Sequence, residues 1–156
     1  MISLKNKQSG FTIVELLIVI VVIGILAALV ITTFNGIQQK GRDTERETDI
    51  KAIHGQLEAY YAQNGNYPTL AEIATPADAT ALFQGLDREA LSDPQANPRT
   101  YVLVSAPAAR SYAYQVYEQD GTTNCTVAAN CAKYTLTGTL EGQINGSSTY
   151  TKSSLN

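Results

Sequence analysis

An uninterrupted apolar segment near the N-terminus limits what this chain can fold into. No residue from Leu16 to Ile31 carries a charge, and the apolar run extends from Phe11 to Phe34 with one ionisable residue, Glu15. A helix over those residues would rise roughly 36 Å, which is enough to cross a hydrocarbon layer of about 30 Å. We therefore predict a transmembrane helix over residues 11–34.

Basic residues ahead of this segment predict its orientation. Lys5 and Lys7 precede it, and the first acidic residue of the chain is Glu15. Positively charged flanks stay on the cytoplasmic side of a membrane. We expect the N-terminus to lie in the cytoplasm and the polar residues after about Asn35 to lie outside it. A net charge of −3 without a basic stripe argues against direct nucleic-acid binding.

Two ordinary kinds of segment could explain the apolar run. A secretory signal peptide has a shorter apolar region followed by a small-residue cleavage site, whereas residues 27–36, AALVITTFNG, contain no clean A-x-A site. A signal anchor would merely tether a polar domain, which leaves Glu15 unexplained. A local role for this carboxylate is also open, because Thr12 and Glu15 have the Thr-x-x-Glu spacing of a helix capping box.

The residues around Glu15 match the pattern of a known family. Residues 9–30, SGFTIVELLIVIVVIGILAALV, closely resemble the N-terminal signature of type IV prepilins and the related pseudopilins. In that signature a short basic leader ends in Gly, a Phe follows, and a Glu occupies the fifth position of the mature chain. Gly10, Phe11 and Glu15 fall on those positions without a gap. Many pilins also carry a proline in the second half of the apolar segment, and this chain has none there.

The resemblance implies a route of processing and assembly. A prepilin peptidase would cut between Gly10 and Phe11, which removes the leader 1–10, and would methylate the new amino group of Phe11. Glu15 of one subunit would then pair with the Phe11 amine of the next and set the helix register. A buried carboxylate and a buried ammonium are each costly alone and tolerable as a pair.

The resemblance also implies partners and a location. The partners are further copies of the chain, the membrane, the prepilin peptidase, an inner-membrane platform protein and a cytoplasmic assembly ATPase. The precursor would be a single-pass protein of the cytoplasmic membrane, and the assembled form would be an extracellular filament.

The long helix is expected to continue beyond the membrane, over residues 35–63. Apolar residues recur along one helical stripe, at Ile50, Ile53, Leu57, Tyr60 and Tyr61. We interpret the charged residues from Arg42 to Lys51 as a solvated face, with an ion network between subunits as the alternative. His54 is interpreted as an exposed helix residue. The Asn-Gly pair and Pro68 in residues 63–69, QNGNYPT, predict the end of the helix.

The rest of the chain predicts a small globular head over residues 64–141. Residues 75–91 are Ala-rich and are expected to contain one or two short helices. Alternating or short apolar runs predict three strands, over residues 100–104, 111–117 and 133–140, of which the last two form a hairpin. The expected fold class is α+β, a long N-terminal helix packed on a small antiparallel sheet of about three strands, and the resemblance implies that it is pilin-like. Residues 142–156, rich in Ser, Thr, Asn and Gly, predict a flexible polar tail.

The two cysteines, Cys125 and Cys131, fall in the loop that joins the hairpin strands. If the loop lies outside the cytoplasm, they most simply form one disulfide, and if it lies in the cytosol they would be two free thiols. A bridge closing so short a loop contributes on the order of 2 kcal/mol. We expect it to fasten a surface loop and not the core.

No constellation of residues in the sequence predicts catalysis, and we expect no catalytic residue, cofactor or metal ion. The resemblance implies a structural role as the leading function: a type IV pilus subunit that polymerises through its N-terminal helix. A major pseudopilin of a type II secretion or competence system competes with it, because residues 64–69, NGNYPT, and 93–98, DPQANP, resemble pseudopilin segments. The alternative from another class is a single-pass, membrane-anchored binding domain that never polymerises.

Overall fold

The structure, a computed structural model, describes residues 10–156. Lys5 and Lys7, on which the predicted orientation depends, lie outside that range. The chain divides into two compact units, the first ending at Gln38 and the second comprising Gln39–Asn156. We describe each unit separately.

Helix α1 runs from Ile13 to Asn64 and belongs in part to each unit. It is the one helix among residues 10–156 that is long and apolar enough to cross a membrane, by length and composition. The large apolar side chains between Phe11 and Ile37 are exposed. The predicted continuation of the helix beyond the apolar run is confirmed, and neither Gly36 nor Gly41 interrupts it.

The turn chemistry that follows α1 ends the helix as predicted. Gly65 has a φ of 76°, a left-handed conformation that glycine adopts without steric cost. Its N–H donates to the Tyr61 carbonyl at 2.8 Å. Pro68 follows three residues later, so the chain leaves the helix axis here.

Short helices fill the segment between α1 and the sheet, as predicted for residues 75–91. Helix α2 spans Pro76–Leu82, and 3-10 turns span Leu70–Ile73 and Arg88–Leu91. Thr75 caps α2, because its hydroxyl accepts the Asp78 N–H at 3.2 Å. Pro76 occupies the first turn, where its missing N–H leaves no helical hydrogen bond unmade.

The sheet has three antiparallel strands, which confirms the predicted α+β, pilin-like fold class. Strand β1 spans Tyr112–Tyr117, β2 spans Lys133–Ile144 and β3 spans Ser147–Ser153, in the order β1-β2-β3. The predicted hairpin of β1 and β2 is confirmed, with Tyr114 opposite Leu136.

The identity of the third strand differs from the prediction. Residues 100–104 form no strand: Tyr101 has a φ of 52°, which breaks the extended backbone, and only Val104 pairs with β1, through an isolated parallel bridge to Ala113. The flexible tail predicted over residues 142–156 is wrong as well. β2 continues through Ile144, and β3 pairs with it after a tight Asn145–Gly146 turn in which both residues have positive φ.

The core of the second unit lies between α1 and the inner face of the sheet. Ile50, Ile53 and Leu57 of α1 are fully buried, as the helical stripe predicted. Gly138 of β2 allows a close approach, because a Cβ at that position would lie 3.3 Å from Ile50. Most other members of the core are aromatic and aliphatic residues of the sheet and of the segment before it: Tyr67, Ile73, Ala79, Phe83, Leu91, Leu103, Tyr112, Tyr114, Val116, Tyr134 and Leu136.

The predicted disulfide between Cys125 and Cys131 is confirmed, but its expected place at the surface is wrong. Both cysteines are buried and belong to the core cluster. The Cys131 carbonyl accepts the Tyr67 N–H at 2.8 Å, and Cys125 donates its N–H to Val116 in β1 at 2.9 Å. The bridge therefore fastens the β1–β2 connection between β1 and the segment that follows α1.

Candidate functional site

The residues singled out at the start of α1 form a reciprocal cap in the first unit. The Glu15 carboxylate accepts the Thr12 N–H at 2.9 Å and the Thr12 hydroxyl at 2.8 Å. The Glu15 N–H in turn donates to the Thr12 hydroxyl oxygen at 3.2 Å. This arrangement is a capping box, and it satisfies donors that the first turn of a helix leaves free. The local role weighed for Glu15 is thus present in the single chain.

The apolar residues that follow this cap are exposed over more than six helical turns. Phe11 and Ile13 are more than four-fifths exposed, and the large aliphatic side chains up to Ile37 are each about half exposed or more. A continuous apolar surface of this size is not tolerated in water, because every side chain on it would be hydrated at a cost. It requires hydrocarbon or other apolar helices around it.

A buried cluster of charges in the second unit was not predicted as a site. Its centre is Arg46, which is 1% exposed. The guanidinium donates to Asp93 at 2.7 and 3.1 Å, to Asp43 at 2.7 Å and to Glu141 at 2.8 Å. Three carboxylates from three different segments thus share one cation, so the cluster connects α1 with β2 and with the loop that follows Leu91.

Asp43 is held in this cluster by backbone as well as by Arg46. Its two carboxylate oxygens accept the N–H groups of Glu141 and Gly142, both at 2.9 Å. These N–H groups lie where the pairing of β2 with β3 is irregular, between Thr139 and Ile144. Burial alone would raise the pKa of Asp43, but the two N–H groups and Arg46 outweigh it and lower the pKa below its usual value.

The interpretation of residues 42–51 as a solvated face is therefore only partly correct. Asp43 and Arg46 are buried, whereas Glu47 and Lys51 form the exposed i, i+4 ion pair expected of a solvated face, at 2.7 Å. The Arg42 guanidinium lies 2.6 Å from Glu141 at the edge of the cluster and, with Arg46, lowers the pKa of Glu141 to about 2.

One acid beside the cluster has the opposite shift. Asp49 accepts the hydroxyl of the fully buried Tyr112 at 2.7 Å. Burial, together with the negative charges of Glu45 and Asp93, raises the pKa of Asp49 to about 6, although the Tyr112 hydroxyl opposes the shift. The pKa of Tyr112 is raised as well, chiefly by burial and then by its hydrogen bond to Asp49.

His54 differs from its predicted place as an exposed helix residue. It is half-buried, and its Nδ1 lies 2.5 Å from the Tyr134 hydroxyl, which also donates to Glu58 at 2.9 Å. The Tyr67 hydroxyl contacts the same carboxylate at 3.0 Å. These contacts are explained by hydrogen bonding in a tyrosine-rich core. Within residues 10–156, no group of three or more His, Cys, Asp or Glu side chains could hold a metal ion.

Comparison with known proteins places these features in context. Residues 5–31 match the family described as Prokaryotic N-terminal methylation motif. The chain is 36% identical to type II secretion system core protein G of Escherichia coli strain K12 over 109 residues, which cover 64% of this chain and 74% of that protein. It is 33% identical to the protein of the same name from Aeromonas hydrophila over 103 residues, which cover 60% and 72% respectively.

A pilin is also similar, over a shorter range. The Type IV major pilin protein PilA of Myxococcus xanthus is 34% identical over 65 residues, which cover 42% of this chain and 30% of that protein. No solved structure matches significantly. The similarity thus extends well beyond the apolar segment for the secretion proteins, and it covers less of the chain for the pilin.

Proposed function

The chain belongs to the type IV pilin-like family, which includes the pseudopilins, and on that premise we propose that it is the structural subunit of a type IV pilus. The observation that carries the proposal is the exposed apolar part of α1, most of which lies within the matched N-terminal methylation motif. Such a surface serves two states in turn. It holds the unassembled subunit in a membrane, and it packs against the same surface of other copies in a filament.

Processing at the N-terminus is the first step of this function. The proposed cut lies between Gly10 and Phe11, and the new amino group of Phe11 is the proposed site of methylation. Thr12 and Glu15 both remain on the mature chain, so the capping box survives the cut. Intact-mass analysis of the steady-state protein tests this step, with a species beginning at N-methyl-Phe11 as the expected result and a retained leader as the contrary one.

Assembly is the second step, and Glu15 is its proposed register residue. Its carboxylate would meet the Phe11 amine of a neighbouring copy within the apolar filament core. A lone ion there is costly, so neighbouring helices would be most stable at the stagger that pairs the two charges. The proposed partners are the platform protein, the assembly ATPase and the prepilin peptidase. In this proposal the chain has a structural role, without a cofactor and without catalysis of its own.

The proposed location follows from the same steps. The precursor would span the cytoplasmic membrane once, with its N-terminus inside and Gln39–Asn156 outside. The assembled subunit would be part of an extracellular filament. Electron microscopy with an antibody against residues after Lys40 tests the location, since labelled surface filaments are expected from intact cells.

A second candidate function is the major pseudopilin of a type II secretion system. The identity to type II secretion system core protein G over more than 100 residues favours it. Deleting the gene separates the two candidates. Loss of surface filaments with unchanged secreted proteins supports the pilus subunit, whereas loss of secreted proteins from cells that never displayed filaments supports the pseudopilin.

A further inference from the structure

The second unit carries an acidic groove that takes no part in the cleavage, methylation or register proposed above for the N-terminal helix. The groove has a volume of about 740 Å³ and lies between the last turns of α1 and the segment that contains α2. Ala59, Ala71 and Ala81 contribute small side chains to it, and Glu72 and Asp78 contribute carboxylates. None of the described residues lining it is a lysine or arginine. It is therefore open to close approach by a backbone and attracts positive charge.

The hydrogen bonds of the two groove carboxylates come from threonines. Glu72 accepts hydrogen bonds from the Thr69 N–H and hydroxyl, and Asp78 accepts the Thr75 hydroxyl. These donors are neutral, and within residues 10–156 neither carboxylate has a salt-bridge partner. A guanidinium brought to the groove would thus meet two uncompensated charges.

An exposed loop of the same unit has the complementary charge. Residues 106–110, Ala-Pro-Ala-Ala-Arg, are all exposed. The Ala108 carbonyl accepts hydrogen bonds from the Ser111 hydroxyl at 3.1 Å and from the Thr139 hydroxyl at 3.3 Å, which hold the loop in one shape. Arg110 ends the loop at a φ of 61° and makes no salt bridge in the part of the chain that the structure describes.

We propose that residues 106–110 of one copy dock in the acidic groove of a neighbouring copy, with the Arg110 guanidinium against Glu72 and Asp78. The small side chains of the loop and of the groove let the two backbones approach, and the charges are complementary. This inference rests on the proposed function, because a filament is what holds many copies side by side.

The positions of the loop and the groove along α1 set the required stagger. The loop is bonded to Thr139, and the adjacent Gly138 lies against Ile50, whereas the groove lies beside Ala59 and Tyr60. Nine or ten helical residues separate these levels, which is roughly 15 Å along the helix axis. If two parallel copies are displaced along the helix axis by about that distance, the loop of one copy lies at the same height as the groove of the other copy.

Cysteine cross-linking in sheared filaments tests the contact directly. The variant Ala108→Cys with Ala81→Cys is expected to give a ladder of covalent dimers and higher oligomers after mild oxidation, on a non-reducing gel. The matched control is Ala108→Cys with Ala62→Cys, since Ala62 is an exposed residue of α1 that does not line the groove. Filaments without a ladder, equal ladders from both pairs, or cross-links only to a protein of another mass would overturn the inference.

A charge swap tests the electrostatic part of the contact. Arg110→Asp, chosen because aspartate tolerates a left-handed backbone, is expected to lower filament yield roughly tenfold, since it places three like charges together. Adding Asp78→Arg is expected to restore the yield. The control is Lys152→Asp, which changes another cation without a salt bridge among residues 10–156 and is expected to have little effect.

The outcomes separate this inference from the function on which it rests. Failure of Asp78→Arg to restore filaments, when each variant melts at the wild-type temperature and is processed at Gly10, overturns the inference and leaves the proposed function in place. A wild-type chain that forms no filament contradicts the proposed function and the inference together.

Discussion

The guanidinium of Arg46 and the carboxylate of Asp93 form two hydrogen bonds, at 2.7 and 3.1 Å, and both side chains are almost completely buried. Two parallel bonds of this kind fix the angle between the groups as well as their distance. Asp93 follows the short helices and Arg46 lies on α1, so the pair sets how the intervening segment lies against the helix. Burial makes it costly to lose either partner.

Replacing Asp93 with alanine is expected to destabilise the second unit by roughly 1.5–3 kcal/mol, because the buried Arg46 would lose two charge-assisted hydrogen bonds and keep those to Asp43 and Glu141. Thermal unfolding of the purified protein in detergent, followed by circular dichroism, measures the loss. Lys51→Ala is the control, since it breaks an exposed ion pair worth less than about 1 kcal/mol. Equal effects of the two changes would contradict a stabilising role for the buried pair.

Replacing Asp49 with asparagine is expected to stabilise the protein at neutral pH. The pKa of Asp49 is raised to about 6 in the folded protein, so the folded state holds a proton that the unfolded state releases from about pH 4 upward. The contribution of Asp49 to the free energy of unfolding therefore falls as pH rises from about 4 to 6 and stays lower above that range. Asparagine removes this loss and still offers an oxygen to the Tyr112 hydroxyl.

Urea unfolding between pH 4 and pH 8 measures the effect of Asp49→Asn. We expect a gain of about 1–2 kcal/mol at pH 7, after allowance for solvent screening, and a difference that shrinks toward pH 4. A gain that is the same at every pH would show that ionisation of Asp49 is not its cause.

Glu141 is expected to give stability the opposite dependence on pH from Asp49. The pKa of Glu141 is lowered to about 2 by Arg42 and Arg46, so its contribution to stability is complete above the unfolded pKa of about 4.5 and is lost as pH falls toward 2. Glu141→Gln should therefore flatten the stability profile between pH 4.5 and 2 and leave its slope between pH 5 and 7 unchanged. Urea unfolding over both ranges checks this.

Glu15→Gln is expected to separate the two roles of that residue. Glutamine can still accept the Thr12 N–H and hydroxyl, so the helix cap is retained. It carries no charge, so a pairing with the Phe11 amine would be lost. We expect processed subunits in the membrane and a filament yield at least roughly tenfold lower, measured by shearing and immunoblotting. Thr12→Val is the comparison for loss of the cap, and normal filaments from Glu15→Gln would limit Glu15 to capping.

Removing both cysteines, as Cys125→Ala with Cys131→Ala, is expected to cost on the order of 2 kcal/mol through the loop constraint alone. Because both cysteines are part of the core cluster, the loss should exceed that of a disulfide in a solvated loop. Thermal unfolding of the variant, and of the wild type with and without reductant, measures it. Val127→Ala, an exposed change inside the same loop, should leave the melting temperature unchanged.

Sequence reasoning succeeded where one local pattern decided the structure. The apolar run, the stripe through Ile50, Ile53 and Leu57, and the turn at Gly65 each predicted their element without help from the rest of the chain. The disulfide followed from having two cysteines in one loop. Its burial did not, because burial depends on which segments cover the loop.

The buried charges were missed because charge is normally a sign of exposure. One signal was present in the sequence. Asp43 and Arg46 precede Ile50, Ile53 and Leu57 at alternating spacings of three and four, so the buried stripe continues through them. Their partners, Asp93 and Glu141, lie more than 40 residues away, and no local pattern predicts a contact over that distance. Strand β3 was missed because its polar composition suggested a tail, although Asn145–Gly146 is a strong hairpin turn signal.

The buried tyrosines have an optical consequence. The chain has no tryptophan, and four of its nine tyrosines, Tyr67, Tyr112, Tyr114 and Tyr134, are almost fully buried in the core. Burial raises the pKa of each above its usual value, so alkali ionises them only when the core opens. The part of the near-ultraviolet tyrosinate absorbance that comes from these four thus reports the opening of this core, with no attached dye and no signal from the apolar part of α1, which contains no tyrosine.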